Sequence, residues 1–515
     1  MSVRVRGWCK RGASLVGALT CLAMMLSLAA CGGASDVSPS PSDASASETS
    51  AKRTNAGSAL ILLPDDGITL SQSTPLNKWT KLGGDLVESL VTHGFDEDDI
   101  ETVKSKTIDE QIDAVDEYVA GHGSQATSDP SGSARETRDT SSGKATIVIA
   151  PVADPDDATR QYGDYITQTA EQSDGDQTTK SVEHLASALN AAKKAGVSVV
   201  LVANEVEGFA PDAYVRMSTV KEIAYTQATL TASKLALARA TSRNPKSIEI
   251  MLPASDDETN KEAFAGIWQA LGPYFRSGAA ISPSGLLDSS SDEGSWSRVV
   301  FEAPNQDAAK TEFVHRLDAN GESPSHPSID GVIAMNDMVA AGVTDALADM
   351  GYKGSAADIN PEITIGGIVG NITGNKDLKK GKVPEPQNNG SSTGERQSPS
   401  EKGGTTVGSE DDPAWPIVTG YGVYLSNILQ VVNGHQWSTG LENRKQYAED
   451  IALTVKALNM GDELDTTDGL RLSDTTEMSG RKVPTIHEDI VSVSASNLKK
   501  TLIDPGYIRP ADAGL

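Results

Sequence analysis

The stretch GVIAMNDMVAAGVTDALADMGYKG, residues 331–354, reads as one complete strand–turn–helix unit. The apolar run Ile329–Met335 is short and ends abruptly, the pattern of a strand buried on both faces of a sheet. Asn336-Asp337 break the run with two side chains suited to cap a helix. Met338–Met350 then carry apolar residues at helical spacing, and Gly351 stops them. A strand feeding directly into a helix is the repeating unit of a parallel sheet.

The same rhythm extends in both directions. Upstream, Ser58–Leu63 is an apolar run ending at Pro64. Thr74-Pro75 supplies an N-cap and a first-turn proline, and Leu76, Trp79, Leu82, Leu86 and Leu90 follow at helical spacing up to Gly94. Thr107-Ile108-Asp109-Glu110 is a capping box opening a further helix. Strands are predicted over 145–152, 197–203, 213–217, 248–252, 296–302, 363–369 and 416–419, with helices over 182–194, 220–240, 261–271 and 308–317. So much parallel sheet exceeds one layer, so the fold class is α/β with two doubly wound parallel-sheet lobes. Polar stretches at 123–143, 168–180, 284–295 and 373–413 interrupt the alternation and read as surface insertions, the last of them disordered.

Composition agrees and excludes several roles. A chain of 515 residues, 38% hydrophobic, can bury two sizeable cores. It carries 44 basic against 71 acidic residues, a net charge of −27, which disfavours nucleic acid and bare anionic surfaces as partners. The first thirty residues are different: Arg4, Arg6, Lys10 and Arg11 precede an apolar stretch, Ala13–Leu28, and then Leu28-Ala29-Ala30-Cys31. This resembles a bacterial lipoprotein signal, with residues 1–30 removed and Cys31 lipidated; an ordinary signal peptide or a short membrane helix is the alternative. Residues 31–57, rich in Ser, Ala, Asp and Pro, would be a disordered tether.

The three cysteines are Cys9, Cys21 and Cys31, so a domain beyond the tether has no disulfide, no thiol nucleophile and no cysteine zinc site. The seven histidines form no metal-binding spacing, and there is no nucleophile elbow or phosphate-binding loop. The expectation is a non-enzyme with no cofactor and no metal. A surface glycosidase is the remaining enzyme class, since its paired carboxylates cannot be recognised by spacing.

In order, these segments resemble the type I periplasmic sugar-binding proteins, the xylose and multiple-sugar group in particular. The similarity spans most of residues 58–515 outside the insertions. It is carried by Lys78-Trp79, IVIAPV (147–152), VSVVLVANE (197–205), the 331–354 unit, WPIVTGYG (415–422) and VPTIHEDIVSVSASNLKKTLIDPGYI (483–508). The resemblance implies two lobes joined by three crossings, with a solute between them. The crossings would lie near 206–212, 421–423 and 438–441. Lobe 1 would be 58–208 plus 421–439, and lobe 2 would be 212–420 plus 440–515.

It also implies a set of ligand-binding residues: Lys78, Trp79, Asn204, Glu205, Asn260, Asn336, Asp337 and Tyr421. Trp79 would stack on a sugar ring or else pack in the core. Lys78 would donate to a hydroxyl or else remain a solvated surface lysine. Asn204-Glu205 end a strand where the family has Asp-Arg, and Asn260 is the one match to its Asp-Asn-Asn helix start. Asp337 would accept from two hydroxyls, or serve as a helix cap. Tyr421-Gly422 replace Gln-Asp, and Met217-Ser218-Thr219 replace Phe-Asp-Asn, so most of the charged sugar clamps are absent.

The implied function is a monomeric, lipid-anchored solute-binding protein on the extracytoplasmic face of the cell membrane. It would capture a small polar solute, a carbohydrate, for an ABC-type importer. The alternative is a degenerate receptor-like envelope lipoprotein acting as a sensor or protein-interaction module.

Overall fold

A computed structural model describes residues 55–66, 71–123, 145–153, 161–163, 176–318, 328–357 and 414–515. The signal segment, Cys31, most of the tether, the expected strand at 363–369 and the 373–413 insertion lie outside the described residues.

The first sheet contains β1 (Ser58–Pro64), β2 (Ile100–Ser105), β3 (Ala145–Ile149), β4 (Ser198–Val202), β5 (Ala213–Val215), β12 (Asp474–Met478) and β13 (Arg481–Ile486). Their order is β12-β13-β5-β4-β3-β1-β2, parallel except for the antiparallel edge β12. The second sheet contains β6 (Lys246–Pro253), β7 (Ala280–Ile281), β9 (Gly331–Ala334), β10 (Ile417–Thr419), β11 (Ser438–Leu441) and β14 (Val491–Ser494). Their order is β14-β11-β10-β9-β6-β7, with β14 antiparallel and a short β8 (Val300–Phe301) on the end of β6.

Helices cover both faces of each sheet because alternate strand residues point to opposite sides. In the first lobe Ile61, Leu63, Val148, Val200 and Val202 pack under α1 (Trp79–Thr92), while Leu60, Leu62, Ile147, Val199 and Leu201 pack under α2 (Ile108–His122) and α3 (Asp176–Lys194). In the second, Ile248, Ile250 and Ile333 meet α4 (Val220–Lys234) and α5 (Asp257–Ser277). Met251, Val332 and Val418 meet α6 (Gln306–Asp318) and α7 (Asp337–Asp349) on the other face.

The remaining α-helices among the described residues are α8 (Ile428–Asn433) and α9 (Arg444–Met460). Tyr447, Ala448, Ile451 and Val455 of α9 join the core beneath α1, so α9 belongs to the first lobe.

This corrects the expected domain boundaries. The chain crosses between lobes at 216–219 after β5, at 442–443 after β11, and at 487–490 after β13. Residues 206–212 stay in the first lobe, where Val206 and Phe209 are core. Residues 421–439 belong to the second lobe, where Val423, Ile428 and Val431 pack with Leu441 and Val493. Of 440–515, the segment from α9 to β13 returns to the first lobe.

Local differences have local causes. Helix α1 starts at Trp79 with Lys78 as N-cap, four residues after Pro75. The preceding segment is held outside the helix because the Leu76 N–H donates to the Gly422 carbonyl of the other lobe at 2.8 Å. The long helix expected over 220–240 ends at Lys234, and Ala236 then takes a left-handed φ of 50°. The 284–295 stretch is anchored rather than a free excursion: Ser284 Oγ donates to buried Glu249 at 3.0 Å, and Leu287, Ser291 and Ser295 are buried.

Candidate functional site

Each sheet has one place where successive connections leave in opposite directions: between β1 and β3 in the first, and between β6 and β9 in the second. Loops diverge there and leave a crevice at the carboxyl ends of the strands, the usual ligand position in open α/β sheets. Asn77 to Trp79, Pro151, Gln161 to Gly163, and Asn204-Glu205 follow the strand ends of the first lobe. Ala254 to Asn260, Asn336-Asp337, Tyr421 and Glu442 follow those of the second.

The two sets meet across the lobes. Asn336 Nδ2 donates to Gln161 Oε1 at 2.8 Å, and the Tyr424 hydroxyl donates to the Gln161 carbonyl at 2.8 Å. The Tyr162 ring lies 6.2 Å from that of Tyr421, tilted by 49°, and both are buried. Asn77 Nδ2 donates to the main-chain oxygen of Glu442 at 3.0 Å. The polar groups gathered here are amides, hydroxyls and carboxylates. Such groups match the donor and acceptor pattern of a hydroxylated solute, with tyrosine rings as an apolar wall.

The expected site residues have separate fates. Asn336 caps α7, accepting from the Val339 N–H at 3.0 Å, and also reaches Gln161, so it stands at the inter-lobe contact. Tyr421 is there too, its hydroxyl 3.2 Å from Glu442 Oε1. Asn204 is half-buried and its Nδ2 donates to the Pro151 carbonyl at 3.4 Å, while Glu205 is exposed. Lys78 is half-buried at the start of α1.

Three residues are engaged within the fold. Trp79 is buried in the core with Leu63, Leu82 and Tyr447. Asn260 is spent on its own loop, donating to the Ser255 carbonyl at 2.7 Å and accepting from the Ser255 N–H at 3.1 Å.

Asp337 is the most heavily engaged of the three. It is fully buried, and its Oδ1 accepts from Gln436 Nε2 at 2.6 Å and Thr439 Oγ1 at 2.8 Å, while Oδ2 accepts from the Tyr424 N–H at 2.8 Å. Its carboxylate braces the 420–424 turn. That turn needs bracing, because Val423 holds a left-handed φ of 51°, a costly conformation for a β-branched residue. Burial drives the Asp337 carboxyl up to about 7 against the opposing pull of these hydrogen bonds.

Sequence reasoning missed Gln161, Tyr162, Asn77 and Glu442. Asn77 neighbours a quoted pair, and Glu442 ends a strand too short to be recognised. Gln161 and Tyr162 lie in a polar stretch with no periodic signal. A separate surface groove of about 460 Å³ lies on the helical layer of the second lobe, lined by Lys221, Trp268, Gln269, Pro273, Arg276 and Glu293. None of the expected site residues touches it. Among the described residues, no cluster of three or more His, Cys, Asp or Glu is placed to hold a metal ion, and no helix is long and apolar enough to cross a membrane.

No family model and no curated protein matches the chain. Among solved structures, it is similar in outline to an ABC transporter solute-binding protein from Clostridium phytofermentans with bound β-D-glucose: 18% identity, 88% of this chain and 99% of that one, TM-score 0.46. A carbohydrate transporter solute-binding protein from Chloroflexus aurantiacus, in complex with D-glucose, has 16% identity over 89% of this chain and 98% of that one, TM-score 0.45. A sugar ABC transporter structure from Actinomyces odontolyticus has 11% identity over 87% and 98%, TM-score 0.47.

Proposed function

We propose that this chain is a solute-binding protein that captures a small hydroxylated molecule, a carbohydrate, between its two lobes. It works without chemistry on the solute, sits lipid-anchored at Cys31 on the outer face of the cell membrane, and serves an ABC-type importer. The observation that supports this reading best is the opposition of two strand-end crevices, bridged by the Asn336–Gln161 hydrogen bond at 2.8 Å. Groups so placed can exchange their bonds with each other for bonds to a solute, and hinge motion at the crossings admits and encloses it.

Thermal unfolding of the protein against a panel of sugars, starting with D-glucose, tests the reading. A solute at about 100 times its dissociation constant adds roughly 2.7 kcal/mol and raises the midpoint by a few degrees. Asn336→Ala should shrink that rise. No rise with any sugar, in protein shown to be folded, overturns the carbohydrate reading.

The second reading is a receptor-like protein-interaction module. It is favoured by the engagement of the Asp337 carboxylate with Gln436 and of the Asn336 amide with Gln161, which occupies these two side chains with partners from the chain itself. Pull-down of a defined protein partner, with no solute response, would support it.

A further inference from the structure

Away from the three crossings, two segments of the first lobe lie on one turn of the second. Residues 72–77, which lead into α1, dock through the backbone. The Leu76 N–H donates to the Gly422 carbonyl at 2.8 Å, and the Ser426 N–H donates to the Gln72 carbonyl at 3.1 Å. The Leu76 side chain packs against the second-lobe cluster that holds Val423, Ile428 and Val431. Residues 161–163, between β3 and α3, add a second grip. Gln161 accepts twice, through Oε1 from Asn336 Nδ2 and through its carbonyl from the Tyr424 hydroxyl, both at 2.8 Å. Tyr162 is 4% exposed and belongs to the apolar cluster of the second lobe, with Ile333, Met335 and Tyr421. The two segments adjoin, since a Cβ on Gly163 would stand 4.0 Å from Pro75 Cβ and from the Asn77 carbonyl.

The turn they hold is itself well anchored in the second lobe. The Tyr424 N–H donates to Asp337 Oδ2 at 2.8 Å, and the Gly422 N–H donates to the Gly440 carbonyl at 2.8 Å. Asn427 Nδ2 donates to the Asp337 carbonyl at 2.7 Å. A turn so fixed cannot follow the first lobe when the lobes separate, so separation breaks the contacts across it. We infer that residues 72–77 and 161–163 form a clasp on the 421–426 turn, which holds the lobes closed by the chain's own contacts without help from a solute.

Two kinds of force keep the clasp shut. Opening exposes the Tyr162 ring and the Leu76 side chain to water, which apolar groups resist. It also breaks the four hydrogen bonds that Gln72, Leu76 and Gln161 make across the lobes. A receptor that closes only around its cargo has no such contacts to lose. In this chain hinge motion at the crossings must first undo the clasp. A solute then binds from the open fraction alone, and its apparent affinity is lowered by that fraction.

The clasp operates whatever solute the crevice accepts, and its test needs none, so its outcome is separate from that of the carbohydrate reading. The Leu76 and Ser426 amide hydrogens are the reporters, because each of their bonds crosses between the lobes. Hydrogen exchange of the full chain, with no sugar added and at a single pH, is followed at these two amides, with the amides of β4 and β9 as references. In the wild type both reporters should exchange at least about tenfold more slowly than in an unstructured chain. Tyr162→Ala withdraws the ring, and Tyr424→Phe withdraws one hydrogen bond while keeping its ring. Each should speed exchange at Leu76, which lies in the other segment of the clasp, by about five- to tenfold. Should Tyr162→Ala not fold, Tyr424→Phe decides. Gly84→Ala, on the exposed face of α1, should leave both reporters as in the wild type. Wild-type reporters that exchange like an unstructured chain, reporters unmoved in either folded variant, a loss shared equally by the references, or the same loss in Gly84→Ala overturns the inference.

Discussion

Asp337 shows how little a residue's identity says about its duty. The Asn336-Asp337 pair marks a helix start in the sequence, and Asn336 does cap α7. Whether the carboxylate points to a solute or into the fold depends on Gln436 and Thr439, about a hundred residues away, which only folding brings within 2.6 and 2.8 Å. Gly420 belongs to the same knot: a Cβ there would collide with Asp337 Oδ1 and Gln436 Nε2. Asp337→Ala should therefore destabilise the protein by about 2–4 kcal/mol, because it strands the Tyr424 N–H and Gln436 amide without an acceptor. Denaturant unfolding monitored at equilibrium measures that loss. A cost below about 0.5 kcal/mol would mean that water replaces the carboxylate and that the turn stands without it.

At the scale of elements, helix packing separates two glycines that a helix pattern treats alike. Gly266 of α5 lies where α4 comes closest: an added Cβ would meet the Lys221 carbonyl, the Tyr225 nitrogen and Ala224 Cβ. Gly266→Ala should cost about 1–3 kcal/mol by forcing the helices apart. Gly84, in the exposed face of α1, has nothing within 4 Å of such a Cβ. Gly84→Ala should stabilise by about 0.5–1 kcal/mol through helix propensity and a less free unfolded chain. Paired thermal unfolding of the two variants checks both signs. The strands and helices with strong apolar patterns were legible: β1, β3, β4, β6, β9 and the helices that follow several of them. The edge strand β2, Ile100–Ser105, was not, because only its last residue is buried and its charged residues break the apolar pattern. The β12–β13 hairpin is similarly polar along its exposed positions.

For the whole molecule, acid groups buried at and beside the hinge set the pH dependence. Asp337 and Asp450 are both pushed up to about 7 by burial, so the folded chain keeps protons that the unfolded chain releases near pH 4. Stability should be highest towards about pH 5 and fall as pH rises through about 7. Below about pH 4 it should fall again, as Glu222, Asp256 and Asp512, whose carboxyls are held below their ordinary values, take up protons. Midpoints of thermal unfolding from pH 3 to pH 9 check this profile, and a flat or rising trend between 5 and 8 would contradict it. The anchor proposed at Cys31 predicts incorporation of labelled palmitate that Cys31→Ser abolishes; equal labelling of that variant would remove the anchor from the proposal. The sequence by itself determined the α/β class, two parallel-sheet lobes and the order of most core elements, because apolar periodicity and helix caps act over a few residues. Only the tertiary structure decided where the chain crosses between lobes, that α9 returns to the first lobe, and which polar side chains meet at the crevice. The physical reason is separation along the chain: Asn77 and Glu442 are 365 residues apart, Asn336 and Gln161 are 175 apart, and no local pattern records a neighbour that only packing supplies.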